Sequence, residues 1–128
     1  ELHPPIRRQR QMCIRDRILG AWDFHFGKGT RKEFPCPRGA SLTIDENGKG
    51  HHEKIENAIA VAEIKKGDWN SCRIVAKGNH FQFFINGKLS SEFTDKLEGQ
   101  QLKEGFIGLQ LHDKGMIVEF KDLFLKKG

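Results

Sequence analysis

Asn86-Gly87 constrains the fold more than any other pair in the chain, because it stands between two β-forming runs, residues 80–85 and 88–94. A two-residue type I′ loop needs positive φ at both positions, which Asn and Gly adopt at least cost, so the flanking runs are expected to form an antiparallel hairpin. The punctuation recurs along the chain. Asp45-Glu46-Asn47-Gly48 closes a candidate strand at 40–45, Gly78-Asn79 separates a strand at 72–77 from the one at 80–85, and Asp113-Lys114-Gly115 separates 106–112 from 117–125. Short strands spaced by roughly ten residues predict an all-β sandwich or barrel. One stretch departs from that pattern: in 56–66, Ile59, Ala60, Glu63 and Ile64 have the spacing of a short amphipathic helix, ended by Gly67.

Alternation along each strand says which side chains share a face. In 80–86, Phe81, Phe83 and Ile85 point one way and His80, Gln82, Phe84 and Asn86 the other. In 106–112, Ile107, Leu109 and Leu111 form the apolar set, leaving Phe106, Gly108, Gln110 and His112 opposite. Two strands therefore each pair an apolar face with one that carries His and Gln. Planar polar groups beside an aromatic ring suit sugar hydroxyls and the apolar C–H face of a pyranose. A solvated sheet surface is the bland reading of the same pattern.

The length of 128 residues fits one domain, and 37% hydrophobic residues with a mean hydropathy of -0.60 are ordinary for a globular chain. No run approaches the roughly 18 apolar residues of a membrane-spanning helix. The net charge of +5 would invite a polyanion, but five arginines in residues 1–17, against Glu1 and Asp16, place +3 of it in that segment. A basic arm there would act through phosphate contacts. The string PPIRRQRQMCIRDR instead resembles translated sequencing-adapter DNA of the kind found at the ends of metagenomic reading frames. Residues 1–17 are therefore expected to be a non-native or disordered basic segment, and 18–128 a partial domain. Cys13, Cys36 and Cys72 show no CxxC or CxH spacing, so neither a disulfide framework nor a zinc site is supported.

From about Phe34 onward the sequence resembles one family. The residues that carry the likeness are PRG at 37–39, IDENGK at 44–49, IKKGDWN at 64–70, IVAKGNHFQFFING at 74–87 and GLQLHDKGMIVEFKDLFLK at 108–126. In series they are similar to the C-terminal portion of the 3-keto-disaccharide hydrolase domain. The resemblance implies a concanavalin A-like jelly-roll β-sandwich, here lacking its N-terminal strands, and action on glycosides already oxidised to a ketone at C3. It also implies a bacterial protein exported to the periplasm or beyond, a sugar as partner, and neither nucleic acid nor membrane insertion. Two departures stand out: position 83 is Phe where family members often carry a polar residue, and the chain has no Tyr.

A C3 carbonyl acidifies the proton on C2, so a base that removes it can expel the C1 aglycone, and water added to the enone completes hydrolysis. Such a site needs a base, a group facing the C3 oxygen and a proton donor for the leaving group. Histidine suits the acid–base roles. Paired carboxylates of the ordinary glycosidase kind, in a Glu-x-Asp-x-x-Glu strand motif, are absent. His112 and His80 are the expected catalytic residues, and Gln110, Gln82, Arg38 of the PRG element and Glu119 the expected substrate-binding ones. Asn86 reads as a turn residue, Trp69 as a packing residue, and His51-His52-Glu53 as a tract that follows a turn rather than a metal site. No cofactor or metal is expected from the spacing, although a divalent ion polarising the C3 carbonyl would be compatible with the chemistry. The alternatives are a non-catalytic carbohydrate-binding module on the same scaffold and an inactive fragment whose open edges invite aggregation.

Overall fold

The computed structural model describes residues 5–8, 22–26, 32–99, 105–109, 114 and 117–128, with backbone alone for 5–8, 22–26 and 32–34. The chain is all-β, as expected. In order the strands are β1 (Pro5–Arg8), β2 (Trp22–Phe26), β3 (Lys32–Cys36), β4 (Ala40–Ile44), β5 (Gly50–Lys54), β6 (Trp69–Lys77), β7 (His80–Ile85), β8 (Lys88–Asp95) and β9 (Val118–Phe120). Seven form one mixed sheet in the order β5-β4-β8-β7-β6-β1-β9, and β2 pairs with β3 in a second, two-stranded sheet.

The Asn-Gly hairpin forms where expected, with φ of 49° at Asn86 and 82° at Gly87. Its register holds a surprise. Ile85 faces Lys88 and Phe84 faces Leu89, but Phe83 faces Ser91, so Ser90 is the extra residue of a β-bulge. Beyond the bulge, Phe81 faces Phe93, Gln82 faces Glu92 and His80 faces Thr94. β4 then joins β8 in parallel, with Leu42 opposite Phe93 and Thr43 opposite Thr94. All other pairings are antiparallel.

These registers sort the large sheet into two faces. On one, Leu42, Ile44 and Phe93 are buried with Cys36 at the end of β3, and Phe81 stacks on Phe93 at a centroid distance of 5.7 Å. Further along the same face, Cys72 and Ile85 are buried under Ile59 and Ile64. Burying each of these side chains contributes roughly 1.5–3 kcal/mol relative to exposure. β3 lies beside β4 and β8, and β2 beside β8, so the β2–β3 ribbon and the 55–66 segment cover this face. Among the described residues, no segment covers the opposite face.

Asn70 locks the covering segment to the hairpins. It is 1% exposed, and its amide uses its whole hydrogen-bonding capacity. Oδ1 accepts from the Lys65 N–H and from Asn86 Nδ2, both at 2.9 Å, while Nδ2 donates to Lys65 O at 2.8 Å and Asp68 O at 3.3 Å.

Three local expectations change. The helix at 56–66 reduces to one 3₁₀ turn, Val61–Glu63, with the Ala60 N–H donating to the Glu63 carboxylate at 2.9 Å. Asn57, at φ 58°, breaks any longer helix, and the Ile59–Ile64 spacing reflects burial on β6 and β7 instead. Residues 105–109 are not a strand: Ile107 and Leu109 are 61% and 48% exposed, with no ladder partner among the described residues, and alternation without a partner makes no sheet. The strand expected over 117–125 stops at Phe120, because Asp122 takes a left-handed φ of 51°. Pro5–Arg8, at the start of the chain, runs antiparallel between β6 and β9. Main-chain pairing is indifferent to side-chain chemistry, so any extended segment can fill an open edge of this kind.

Candidate functional site

The open face is built from alternate residues of five neighbouring strands. One row runs His51, Thr43, Thr94, His80 and Lys77 across β5, β4, β8, β7 and β6; the next runs Glu53, Ser41, Glu92, Gln82 and Val75. His80 and Gln82 therefore share a face, as their parity requires, and the bulge at Ser90 brings Glu92 and Thr94 directly alongside them.

The four side chains form one cluster. His80 Nδ1 and Thr94 Oγ1 are 2.8 Å apart, His80 Nε2 is 3.5 Å from Glu92 Oε2, and Gln82 Nε2 donates to that same oxygen at 3.5 Å. Side-chain exposures of 41% for His80 and 25% for Glu92 leave both accessible to a ligand lying on the sheet. In the tautomer whose Nδ1–H donates to the Thr94 hydroxyl, Nε2 carries the lone pair on the side of the ring nearer Glu92. An imidazole in that state can take a proton, and the cation so formed finds Glu92 in place to balance it. Partial exposure screens that attraction, so it is a modest contribution and not a buried ion pair.

Glu92 is the functional residue that sequence parity misses. An unbulged Asn-Gly hairpin would set Glu92 opposite Phe81, on the apolar face, and Phe93 opposite His80. The one available signal was the mismatch this creates, since only a one-residue slip puts Phe93 against Phe81.

The remaining expected site residues are scattered. Arg38 lies half-buried in the turn before β4, where the Gly39 N–H donates to Ser90 O at 2.6 Å, beyond the Glu92 row and away from His80. Glu119 is on β9, three strands from β7, or about 14 Å at 4.7–4.9 Å per strand. It does not join the His80 cluster. Gln110 and His112 lie outside the described residues.

The histidine tract separates by alternation. His51 Nε2 meets Asp45 Oδ2 at 2.8 Å, whereas His52 Nε2 meets the Pro35 carbonyl at 2.8 Å on the covered side. Two rings on opposite faces cannot converge on one ion. Among the described residues, no group of three His, Cys, Asp or Glu side chains is gathered for a metal. The Asp45 carboxyl also accepts from the Asn47 and Lys49 N–H groups at 2.9 Å, and the His51 hydrogen bond, first, and these amides hold it below the usual carboxylate range. Cys36 is the reverse case: burial pushes its thiol up to about 11, and Sγ donates to Ala40 O and Glu92 O at 3.3 Å. Cys36 and Cys72 are buried thiols in separate clusters with no disulfide between them, so neither is a nucleophile for the open face.

A mixed β-sheet with one covered face and one open polar face is the class these elements define. Within it, the chain belongs to the 3-keto-alpha-glucoside-1,2-lyase-like domain family, which matches residues 21–126. That membership gives it a carbohydrate-related function. No curated protein and no solved structure matches the chain.

Proposed function

We propose that the open face binds a glycoside oxidised at C3 and cleaves it by elimination across C1–C2 followed by hydration. The observation that carries the reading is the His80–Thr94–Glu92–Gln82 cluster on the exposed face of a family member. The family's description names a 1,2-lyase acting on 3-keto-α-glucosides, and loss of the C1 substituent across C1–C2 is that bond change.

His80 Nε2 removes the C2 proton, and the electron pair forms an enolate that the C3 oxygen carries. Gln82, whose amide donates to Glu92 and has a second N–H left, is the group assigned to meet that oxygen. The enolate then expels the C1 substituent: the C1–O bond breaks, its electrons leave with the aglycone oxygen, and a proton from solvent or a site acid neutralises it. Addition of water across C1=C2 returns hydrogen to C2 and places hydroxyl on C1. Glu92 balances the imidazolium between these steps. His112 and Gln110 are assigned to the same site on sequence grounds, with Arg38 and Glu119 as outlying contacts to the substrate.

The test is turnover of a nitrophenyl 3-keto-glucoside by the whole chain, with nitrophenolate and sugar products both followed. His80→Ala is expected to lower kcat/KM by about 10²–10⁴, the usual range for a lost acid–base group. Glu92→Gln should cost about tenfold and shift the pH profile, because the neutral amide stabilises an imidazolium less than a carboxylate does. Wild-type release no faster than that of His80→Ala would sink the enzymatic reading and leave a binding module.

A further inference from the structure

The seven-stranded sheet ends at β5, and all five residues of that strand, Gly50–Lys54, are exposed. Among the described residues, β5 pairs with β4 alone. The bonds that flank this ladder fix its phase: the Asp45 N–H donates to Lys49 O at 2.9 Å and the Ile55 N–H to Gly39 O at 2.8 Å. Bonded and non-bonded pairs alternate in an antiparallel ladder, so His51 and Glu53 turn their main-chain groups toward β4. Gly50, His52 and Lys54 turn theirs outward, which is the template an added strand needs.

We propose that β5 is a self-association edge: two copies of the chain pair β5 to β5, antiparallel, about a twofold axis at His52. The sequence of the strand selects this register. Three registers keep at least three residues of each strand paired and match outward groups to outward groups. With Glu53 on the axis, it meets the partner's Glu53, and Lys54 meets the partner's His52. With His51 on the axis, it meets the partner's His51. With His52 on the axis, all five residues pair, and symmetry sets His51 against the partner's Glu53 twice. Opposite charges directly across a pair stabilise it and like charges do the reverse. Lys54, the kind of residue that guards an edge, then meets the partner's Gly50, which has no side chain to repel it.

The surrounding groups agree with this pairing. His51 Nε2 is held by Asp45 at 2.8 Å, so a His51 imidazolium would lie between Asp45 and the partner's Glu53, one carboxylate at each nitrogen. His52 is turned to the covered side, where its Nε2 meets Pro35 O at 2.8 Å. Beyond the strand ends, Lys49 comes level with the partner's Ile55, which carries no charge. The three bonded pairs supply two main-chain hydrogen bonds each. Five residues a side is nevertheless far fewer than the roughly 20–30 of a stable interface, so the association is weak and depends on concentration. The two open faces fall on the same side of the joined sheet, with their His80 clusters seven strand steps apart, or about 34 Å. Pairing therefore leaves both clusters accessible.

Cross-linking reads the register directly. In a Cys13→Ser background, where Cys36 and Cys72 are buried, the full-length His51→Cys and Glu53→Cys chains are oxidised in air with a copper catalyst, each alone and mixed. Positions 51 and 53 of opposite copies form a non-bonded pair with Cα atoms about 4.5 Å apart, within disulfide range. Like positions are about 7–8 Å apart, beyond it. A covalent dimer is expected in the mixture, at least about fivefold more than in either chain alone. Equal yields in the single chains, or none in the mixture, overturn the proposal. Sedimentation velocity supplies the second measurement: the wild type should show concentration-dependent dimer, and Glu53→Lys should weaken it by about tenfold, since symmetry repeats the contact. His51→Glu combined with Glu53→Lys should restore association. A wild type that stays monomeric throughout, or a Glu53→Lys chain that dimerises as well as wild type, overturns the proposal.

Discussion

Asn70 offers the sharpest test of how this domain is held together, because one buried amide satisfies four groups on three residues. Replacing it with Ala removes all four hydrogen bonds. Each contributes about 1 kcal/mol net, and a buried group left without a partner costs about 1–3 kcal/mol. Lys65 and Asp68 are exposed, so water can replace part of what their backbone loses, but the Asn86 amide is half-buried. The sum expected is about 2–3 kcal/mol, a large part of the roughly 5–15 kcal/mol that stabilises a domain. With urea m-values of about 1–3 kcal/mol/M, the unfolding midpoint should fall by about 1–2 M.

Asn70→Asp is the more discriminating variant. It keeps the acceptor for Lys65 N–H and Asn86 but turns an oxygen toward the carbonyls of Lys65 and Asp68. Burial and those carbonyls raise the folded pKa of the new carboxyl above its unfolded value near 3.9. The penalty is therefore full above the folded pKa and shrinks as pH falls through it, since the protonated acid can donate where the amide did. Urea midpoints at neutral and mildly acidic pH should converge toward wild type on acidification. A cost below about 0.5 kcal/mol for Asn70→Ala, or an Asn70→Asp deficit that does not vary with pH, refutes the account.

Two further outcomes follow from the ionisable groups. Asp45 is held low by His51 and nearby amides, and Glu63 by the Lys88 ammonium, so both carboxyls favour the folded state above their unfolded pKa values, near 3.9 and 4.3. That contribution disappears as pH falls through the lower folded values. A double variant, Asp45→Asn with Glu63→Gln, should lose less stability than wild type over the acid range, and parallel acid unfolding curves would count against it. In a Cys13→Ser variant, the buried Cys36 and Cys72 thiols should resist a disulfide reagent at about pH 8 until urea is added. One thiol reacting within the mixing time contradicts the burial of both.

The hairpin at Asn86-Gly87 was legible because it rests on local backbone preference, and the shared face of His80 and Gln82 because parity within one strand needs no partner. What failed required knowledge of neighbours. The Ile107–Leu109 alternation has no pairing strand among the described residues, and Ile59–Ile64 marks contact with β6 and β7 while imitating a helical period. Glu92 depended on the single extra residue at Ser90, whose presence only cross-strand packing decides. Asn70 stood inside the GDWN element, but a motif does not announce that an amide will be saturated by segments on both sides of it.

The parallel junction between β4 and β8 has a consequence for how the molecule holds itself closed. The β4–β5 hairpin and the β6–β7–β8 meander are each joined by short connections, and their ladders form from contacts close in sequence. The junction must close a long stretch of chain, as must the ladders of β1 with β6 and β9, and loop entropy makes such contacts late to form. It is a seam between two locally sufficient halves. Ser41 and Thr43 stand on one side of it, Glu92 and Thr94 on the other. A ligand spread over that face would stitch the seam shut, so that occupancy and cohesion of the sheet rise together.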